Sequence, residues 1–469
     1  MKKVLTSLSI ASAFLLAFAV SSFAQTAMNE DYTKKGPQIG GQIQWLGQLE
    51  VVGLSGVNTI TPEGNNNPRI AMFLREARLR FYGMIDEGLL SGATYKISFF
   101  GAGEGNSIQD AYADIPIFGE GLRLRIGQYM QAFSREAMSD TSTQMFVRHS
   151  INTTTFGYGR DTALSLYGNL GGLLYHLSIG MGTDVNVAEK FFPMAVGFQP
   201  VILRIGYSSL EKNIFDIQEF NPANKKNGWA VMLNAYYYRD SIGGHTTSMS
   251  RKNATATGTF FEWTNNSLVY NKLFNPIMPG AVGSQSTSNP VGANNPQNTA
   301  NVFQAGLDAA FQQDLGGGIL LNAAAEWNVA YSQGTLQAEY MMLMGGTVRA
   351  GVYFGDAVPL LVGLRYSILL PDAKMGSYTS AARTSFVGVG LMPIHEIGLA
   401  LNVYLAKNVT VRMDMQLWVD TLAMHADTGQ YNLMQIPSSM TSSLKATDAQ
   451  GSLFRVTNYD ARLLFQLAF

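Results

Sequence analysis

The feature that most constrains this chain is a strict alternation of apolar and polar residues over stretches of roughly ten residues. In the stretch 41–52, Ile43 and Trp45 share one face of an extended chain, whereas Gln42 and Gln44 share the other. A helix repeats every 3.6 residues, so only a β-strand separates such a pattern into an apolar and a polar face. The alternation therefore predicts β-strands.

About seventeen stretches of this kind recur along the chain, and turn residues such as Gly, Asn and Asp separate them. They are 41–52, 73–82, 93–99, 109–115, 122–129, 162–167, 173–181, 201–207, 229–238, 303–311, 319–331, 336–342, 348–354, 358–368, 397–404, 409–419 and 459–469.

Two all-β folds fit so many strands, a secreted sandwich and a membrane barrel. The polar faces carry charges such as Arg412 and Asp414, which a sandwich core could not bury unpaired. The apolar faces carry aromatic residues near their ends, as lipid-facing girdles do. These are Trp45, Tyr175, Tyr207, Trp229, Trp327, Tyr331 and Tyr366. We therefore expect a transmembrane antiparallel up-and-down β-barrel, in which closure satisfies every backbone group.

A single-chain bacterial barrel has an even number of strands, so one of the seventeen assignments must be wrong. Either a further strand lies within residues 239–300, or two segments near Gly334 or Gly345 form one strand. We expect 16 strands, with 18 as the alternative. Both numbers leave a water-filled lumen.

The N-terminus has the features of an export signal. Lys2 and Lys3 precede the apolar run 4–20, and Ser22-Phe23-Ala24 provides the small residues of a cleavage site. We expect residues 1–24 to be a cleaved signal peptide, 25–39 a periplasmic segment and 40–469 the barrel. Such a barrel lies in the outer membrane of a Gram-negative bacterium, in contact with its lipid. The terminal Phe469 ends an alternating strand and is typical of the signal that the outer-membrane assembly machinery reads.

Composition excludes several other functions. The chain has no Cys, a net charge of −1 and 5 His without metal-ligand spacing, so we expect no metal, no cofactor and no nucleic-acid partner. Arg148-His149-Ser150 contains the only adjacent His and Ser. Neighbouring residues of a strand point to opposite faces, so the pair cannot form a catalytic hydrogen bond there. We expect no catalytic residues and no enzyme.

Loop length predicts which end of the barrel faces outward, because bacterial barrels have short periplasmic turns and long extracellular loops. Residues 168–172 and 406–408 are predicted to be periplasmic turns. The predicted extracellular loops are 53–70, 130–160, 182–200, 239–300, 370–395 and 420–456. Residues 209–227 would then form an unusually long periplasmic turn.

Strand parity places many charged residues inside the barrel. Basic residues concentrate on nearby strands of the first third, among them Arg78, Arg80, Lys96, Arg123 and Arg125. A channel wall that carries mainly positive charges can favour the passage of anions. Alternatively, these residues form ion pairs with Glu76, Asp110 and Asp114 that hold the wall rigid. On the first hypothesis, replacing Arg123 and Arg125 by Gln lowers the ratio of anion to cation permeability.

Four short motifs follow each other in the first third of the chain. They are Ile108-Gln109-Asp110-Ala111-Tyr112, then Leu124–Tyr129 leading into Phe133-Ser134-Arg135-Glu136, then Arg148 before Ser150, and Tyr158-Gly159-Arg160-Asp161. Over roughly residues 71–170 the chain thus resembles the phosphate-selective porin O and P family. It departs from that pattern at Ala132, where Pro is expected, and at Ala163, where Gly is expected.

The resemblance implies an outer-membrane barrel, often a homotrimer, whose third extracellular loop folds into the lumen. Here that constriction loop would be residues 130–160. It would bring Arg135, Glu136, Arg148, Arg160 and Asp161 to the narrowest point. No lysine-rich cluster matches the one that gives family members their phosphate affinity, so phosphate selectivity is not implied.

These observations predict a porin through which small hydrophilic solutes or ions, with a bias toward anions, diffuse passively. The alternative is a barrel that serves as the partner or scaffold of a surface lipoprotein or an outer-membrane assembly complex. Its motivation is the length of the loops 239–300 and 420–456. A third hypothesis, an outer-membrane hydrolase, would depend on Ser150.

Overall fold

The structure is a computed structural model that describes residues 36–55, 69–102, 105–157, 159–180, 198–220, 222, 226–241, 299–334, 341–355, 359–371, 393–406, 408–422 and 454–469. The expected signal peptide and most of the loop 239–300 lie outside these residues. None of the helices in the described ranges has the length and apolarity needed to cross a membrane.

Sixteen strands form the wall. They are β1 Gly36–Ser55, β2 Arg69–Ile85, β3 Ala93–Ala102, β4 Gly105–Pro116, β5 Arg123–Met130, β6 Arg160–Leu170, β7 Leu173–Gly180, β8 Phe198–Ser208, β9 Gly228–Ser241, β10 Thr299–Gly316, β11 Ile319–Gly334, β12 Met341–Phe354, β13 Leu360–Pro371, β14 Ile394–Ala406, β15 Val409–Leu422 and β16 Phe454–Ala468. Two short helices, α1 Arg135–Met138 and α2 Ile151–Phe156, lie between β5 and β6, and Gly88–Leu90 forms a 3₁₀ turn.

The strands close into one antiparallel barrel in which each strand pairs with its sequence neighbours. At the seam, β1 pairs with β16 from Gln42 opposite Ala468 to Ser55 opposite Arg455. The Gly41 N–H donates to the Phe469 carbonyl at 2.8 Å, and the Phe469 N–H donates to the Gly41 carbonyl at 2.9 Å. No strand edge is left unpaired, as a lipid environment requires. The predicted fold class and the favoured strand number are confirmed.

The seventeenth predicted segment disappears within β12. This strand runs without interruption through Gly345 and Gly346, so the end of segment 336–342 and segment 348–354 belong to the same strand. Residues 335–340 lie outside the described part of the chain. At the N-terminus, β1 begins at Gly36, four residues before the barrel was expected to start.

The two faces of the strands point as the alternation predicts. Trp45, Trp229 and Trp327 are exposed on the outer surface. The inward Arg204, Arg349 and Arg412 are fully buried. Burying an arginine is costly unless it is paired, so the interior must supply carboxylates and carbonyls.

Short turns gather at one end of the barrel, among them 171–172 and 317–318, and the long connections gather at the other. The connection 209–227 lies at the short-turn end. Two segments fold from opposite ends into the lumen. We call residues 131–157 the inner loop and residues 209–220 the inner turn.

Candidate functional site

The inner loop is built around two capped helical turns. The Ser134 hydroxyl accepts a hydrogen bond from the Ala137 N–H at the start of α1, and the Ser150 hydroxyl accepts one from the Thr153 N–H at the start of α2. Such caps satisfy N–H groups that the helix itself leaves unpaired. Ser150 also donates to Glu136, whereas the His149 imidazole contacts the Gln144 side-chain amide at 2.5 Å.

Glu136 connects the inner loop to strands β12 and β13. Its carboxylate accepts hydrogen bonds from Ser150 and Thr153, each hydroxyl at 2.6 Å. It also lies 3.4 Å from the Arg349 guanidinium and 3.2 Å from that of Arg365. Burial by itself raises the pKa of Glu136, but the two arginines outweigh this effect and lower the pKa to about 2. Glu136 is therefore an ionised anchor.

Further backbone groups of the inner loop bind the wall of β14 and β15. The Val147 N–H donates to Asp414 at 2.8 Å, and the Ile151 N–H donates to Glu396 at 2.7 Å. The Arg412 guanidinium donates to the carbonyl of Thr141 at 2.7 Å. Charged groups on the strands thus replace the water that a loop backbone would otherwise bind.

Three strands beyond β15 around the barrel, Asp140 joins the inner loop to β2. Its carboxylate accepts from the Arg78 guanidinium at 2.8 Å and from that of Arg80 at 2.7 Å. Burial opposes ionisation, but Arg80 and Arg78 hold the pKa of Asp140 well below its usual range. Thr141 adds a hydrogen bond to Glu76 at 2.9 Å. The inner loop is therefore attached around most of the barrel circumference.

Small residues on the inner face of β12 to β14 make room for the inner loop. A Cβ atom at Gly345 would lie 2.7 Å from both Asn152 and Phe156, and one at Gly363 would lie 2.5 Å from the Met145 sulfur. The sequence reasoning missed these positions. The inward face of these strands was expected to be polar, but it contains Gly, Ala and Leu. Such residues indicate a face that packs against protein rather than water.

The predicted basic residues separate into two groups. We call the first the basic wall; it comprises Arg78, Arg80, Lys96 and Arg160 with the carboxylates Glu76, Asp110 and Asp140. Three of its side chains keep contact with solvent, since Asp140 is 31% exposed, Arg160 19% and Lys96 12%, whereas Arg78 and Arg80 are buried. The ion pairs of the second interpretation are therefore present here, and the anion preference of the first stays a prediction.

The second group lies nearer the short-turn end. Arg123 pairs with the exposed Glu120 at 2.9 Å. Arg125 binds both oxygens of Asp114, at 2.8 and 2.6 Å, and its guanidinium lies 3.7 Å from the centre of the Phe215 ring. Arg125 thus holds a residue of the inner turn, a contact that strand parity could not reveal.

The remaining predicted constriction residues are divided between strand and loop. Arg135 pairs with Glu211 at 2.7 Å and with Asp308 at 3.2 Å. The Arg148 carbonyl accepts a hydrogen bond from Arg365 at 2.8 Å. Asp161 is buried at the start of β6. Within the described residues, no group of three or more His, Asp or Glu side chains has the arrangement of a metal site.

The closed barrel, its charged interior and its inward-folded loop define the class as a porin-type β-barrel. Residues 55–188 match the model of the family described as phosphate-selective porin O and P. The resemblance predicted over residues 71–170 is therefore confirmed for this part of the chain.

Solved structures of outer-membrane proteins are similar to the chain at low identity. An anion-selective porin from Comamonas acidovorans is 11% identical, with a TM-score of 0.49 over 93% of this chain and 100% of that one. The outer-membrane channel DcaP of Acinetobacter baumannii is 10% identical, with a TM-score of 0.48 over 95% and 100%. Salmonella typhi OmpF is 12% identical, with a TM-score of 0.46 over 92% and 97%. No curated protein sequence matches significantly.

Proposed function

We propose that this protein is an outer-membrane channel for small hydrophilic solutes and ions, with its short-turn end in the periplasm. The observation that carries this proposal is a closed 16-stranded barrel whose charged interior is narrowed by an inward-folded loop, in a chain with a porin-family segment. Transport through such a barrel needs no catalysis. Width and charge of the passage determine what crosses.

The passage lies beside the basic wall, where Asp140, Arg160 and Lys96 retain solvent contact. The wall presents the cations Arg78, Arg80, Lys96 and Arg160 beside its carboxylates, and low-dielectric surroundings strengthen the field of these charges. The channel therefore favours small anions. Arg123 and Arg125 contribute less, since each is committed to a carboxylate of its own.

The test is single-channel recording of purified protein in a planar bilayer, with the reversal potential measured under a salt gradient. We expect discrete steps and a reversal potential of the sign for anion preference. Folding of the same preparation is checked by the β-sheet circular dichroism of the protein in lipid vesicles. A folded protein that never conducts, even after the inner turn has been removed as described below, would contradict the proposed function.

We further propose that the barrels assemble as homotrimers, as the family resemblance implies. Cross-linking in native membranes followed by mass determination tests this assembly. A species of three chains is expected, and monomers alone would contradict it.

Phe469 is proposed to guide insertion through the outer-membrane assembly machinery. Its backbone closes the seam with Gly41, while its side chain is 59% exposed. Phe469→Ala keeps the backbone pairing. It is therefore expected to slow insertion in cells without reducing the stability of barrels folded in vitro, and equal insertion rates would contradict the proposal.

A further inference from the structure

Inward-facing side chains are buried along much of the barrel wall, β12 to β15 included. On β12 to β15, every described inward-facing side chain is buried, including Arg365, Glu396 and Thr410. A barrel of 16 strands has a lumen wide enough for water, so another part of the chain must cover these residues. The inner loop contacts some of these strands' side chains, and the inner turn contacts Arg349, Tyr353 and Tyr404.

One end of the inner turn is held by an aromatic socket on β5 to β7. The ring of Phe215 lies 4.9 Å from that of Tyr167, 5.2 Å from that of His176 and 5.7 Å from that of Tyr129, in each case edge to face. Arg125 covers the ring at 3.7 Å. Edge-to-face rings and a guanidinium over a ring are both attractive arrangements, so Phe215 is wedged between several strands.

The other end reaches the far wall. The buried Phe220 lies 5.5 Å from Tyr353 on β12 and 6.2 Å from Tyr404 on β14, measured between ring centres. In the closed ring, β6 with Tyr167 and β14 with Tyr404 stand half the circumference apart. The inner turn therefore crosses the lumen from one side to the other.

Polar contacts join the inner turn to the inner loop and to the wall. Glu211 pairs with Arg135 at 2.7 Å, and Glu219 pairs with Arg349 at 2.6 Å. The Phe220 N–H donates to the Thr143 carbonyl at 3.0 Å. The two segments thus meet inside the barrel, one from each end.

We infer that the inner turn is a plug that closes the lumen from the short-turn end, and that full conduction requires its displacement. This inference rests on the proposed channel function. Within the described part of the inner turn, backbone-to-backbone pairing with a strand occurs at its base, where the Ser209 N–H donates to the Trp229 carbonyl at 2.9 Å. The rest is held by side chains and by the inner loop, so the turn can leave without opening the barrel.

The first test removes the two aromatic anchors. The double variant Phe215→Ala with Phe220→Ala is expected to conduct in larger steps or to stay open for a larger fraction of time than the unaltered protein. The matched control is Phe118→Ala, which removes an exposed aromatic side chain from a turn at the same end. Equal conductance of the double variant, the control and the unaltered protein would overturn the inference.

The second test locks the plug, using the absence of native Cys. Thr143→Cys and Phe220→Cys are placed where their backbones share a hydrogen bond. The oxidised double variant should be closed, and reduction should raise its conductance reversibly. The conductance of each single variant should not change when reductant is added. Channels that conduct equally when the disulfide has formed, as verified by mass, would overturn the plug.

A shortened variant separates failure of the plug from failure of the channel. Residues 210–227 are replaced by a four-residue turn, which is feasible because β8 and β9 already pair beside Ser209 and Trp229. Larger conductance than in the full chain supports the plug. Conductance equal to that of the full chain overturns the inference that the inner turn is a plug, but it is consistent with the proposed channel function. If both proteins are folded and neither conducts, the proposed channel function is contradicted.

Discussion

The inner loop and the inner turn enter the same lumen from opposite ends, but they are held by different forces. Carboxylates attach the inner loop, with the buried Glu136 between Arg349 and Arg365 and the partly exposed Asp140 between Arg78 and Arg80. The inner turn combines the aromatic packing of Phe215 and Phe220 with two ion pairs, Glu211 with Arg135 and Glu219 with Arg349. A buried charge network breaks only at a high cost, whereas an apolar contact with a flexible hairpin can be released and formed again. The inner loop has more charged contacts with the strands than the inner turn, so we expect the loop to stay fixed and the turn to move.

The largest effect is expected at the loop anchor. Glu136→Gln removes a carboxylate that accepts hydrogen bonds from the Ser150 N–H and from the Ser150 and Thr153 hydroxyls, and each buried donor left without an acceptor costs about 1–3 kcal/mol of unfolding free energy. Urea unfolding from lipid vesicles measures the change. The control is Glu120→Gln, whose side chain is 71% exposed and pairs only at the surface. An equal effect of both variants would remove the contrast between a fixed loop and a movable turn.

A smaller loss is expected where the inner loop rests on the wall. In Gly345→Ala, the new methyl group approaches Asn152 and Phe156 to 2.7 Å, and overpacking of this kind costs about 1–3 kcal/mol. The same unfolding measurement checks it. Gly47→Ala is the control, because its nearest neighbour would be the Leu463 carbonyl at 3.8 Å. Unchanged stability of Gly345→Ala would show that the loop does not pack against β12.

Acid is expected to act on the two segments differently. Burial raises the pKa of Asp216 above its usual value despite Lys212, and it raises the pKa of Glu219 despite Arg349. A carboxyl group whose pKa is higher in the docked plug than in the undocked turn takes up a proton when the plug docks. Protonation therefore stabilises the closed plug below the ordinary carboxyl pKa, and this support is lost as the pH rises through the raised values.

The loop anchors have the opposite sign, since the pKa of Glu136 is lowered to about 2 and that of Asp140 also lies below its usual value. The contribution of these two carboxylates to the stability of the docked loop is present above the ordinary carboxyl pKa. It is lost only as the pH falls through the lowered pKa values. As the pH falls from neutral through the raised pKa values of Asp216 and Glu219, we expect the open fraction of the channel to fall while the loop stays docked. Asp216→Asn should weaken this response, and an open fraction that rises with acid would contradict it.

The smallest effect concerns selectivity. Lys96→Gln combined with Arg160→Gln should lower the anion-to-cation permeability ratio only slightly, because both side chains are partly exposed and dissolved salt screens their charges. Arg123→Gln, at the short-turn end, should change the ratio less. Reversal potentials under a salt gradient compare them. A larger change for Arg123→Gln would place the selective part of the passage at the short-turn end.

Most of the wall could be predicted because its signal is local. Alternation over a few residues places Trp45 outside and Arg412 inside whatever the rest of the chain does, because successive side chains of a strand point to opposite faces. The even strand number followed from closure, and β12 supplied the merger expected near Gly345. The constriction loop expected over residues 130–160 follows from the family resemblance rather than from a local pattern, and its role stays a prediction.

The sequence by itself determined the barrel, its two faces and its charged interior. Only the tertiary structure decided which charges meet and what fills the lumen. Glu136 meets Arg365 across 229 residues, and Phe215 and Phe220 reach opposite walls from a turn that sequence patterns assign to the surface. Such contacts depend on how barrel closure positions strands that are far apart in the sequence. A local pattern of apolar and polar residues contains no information about these positions.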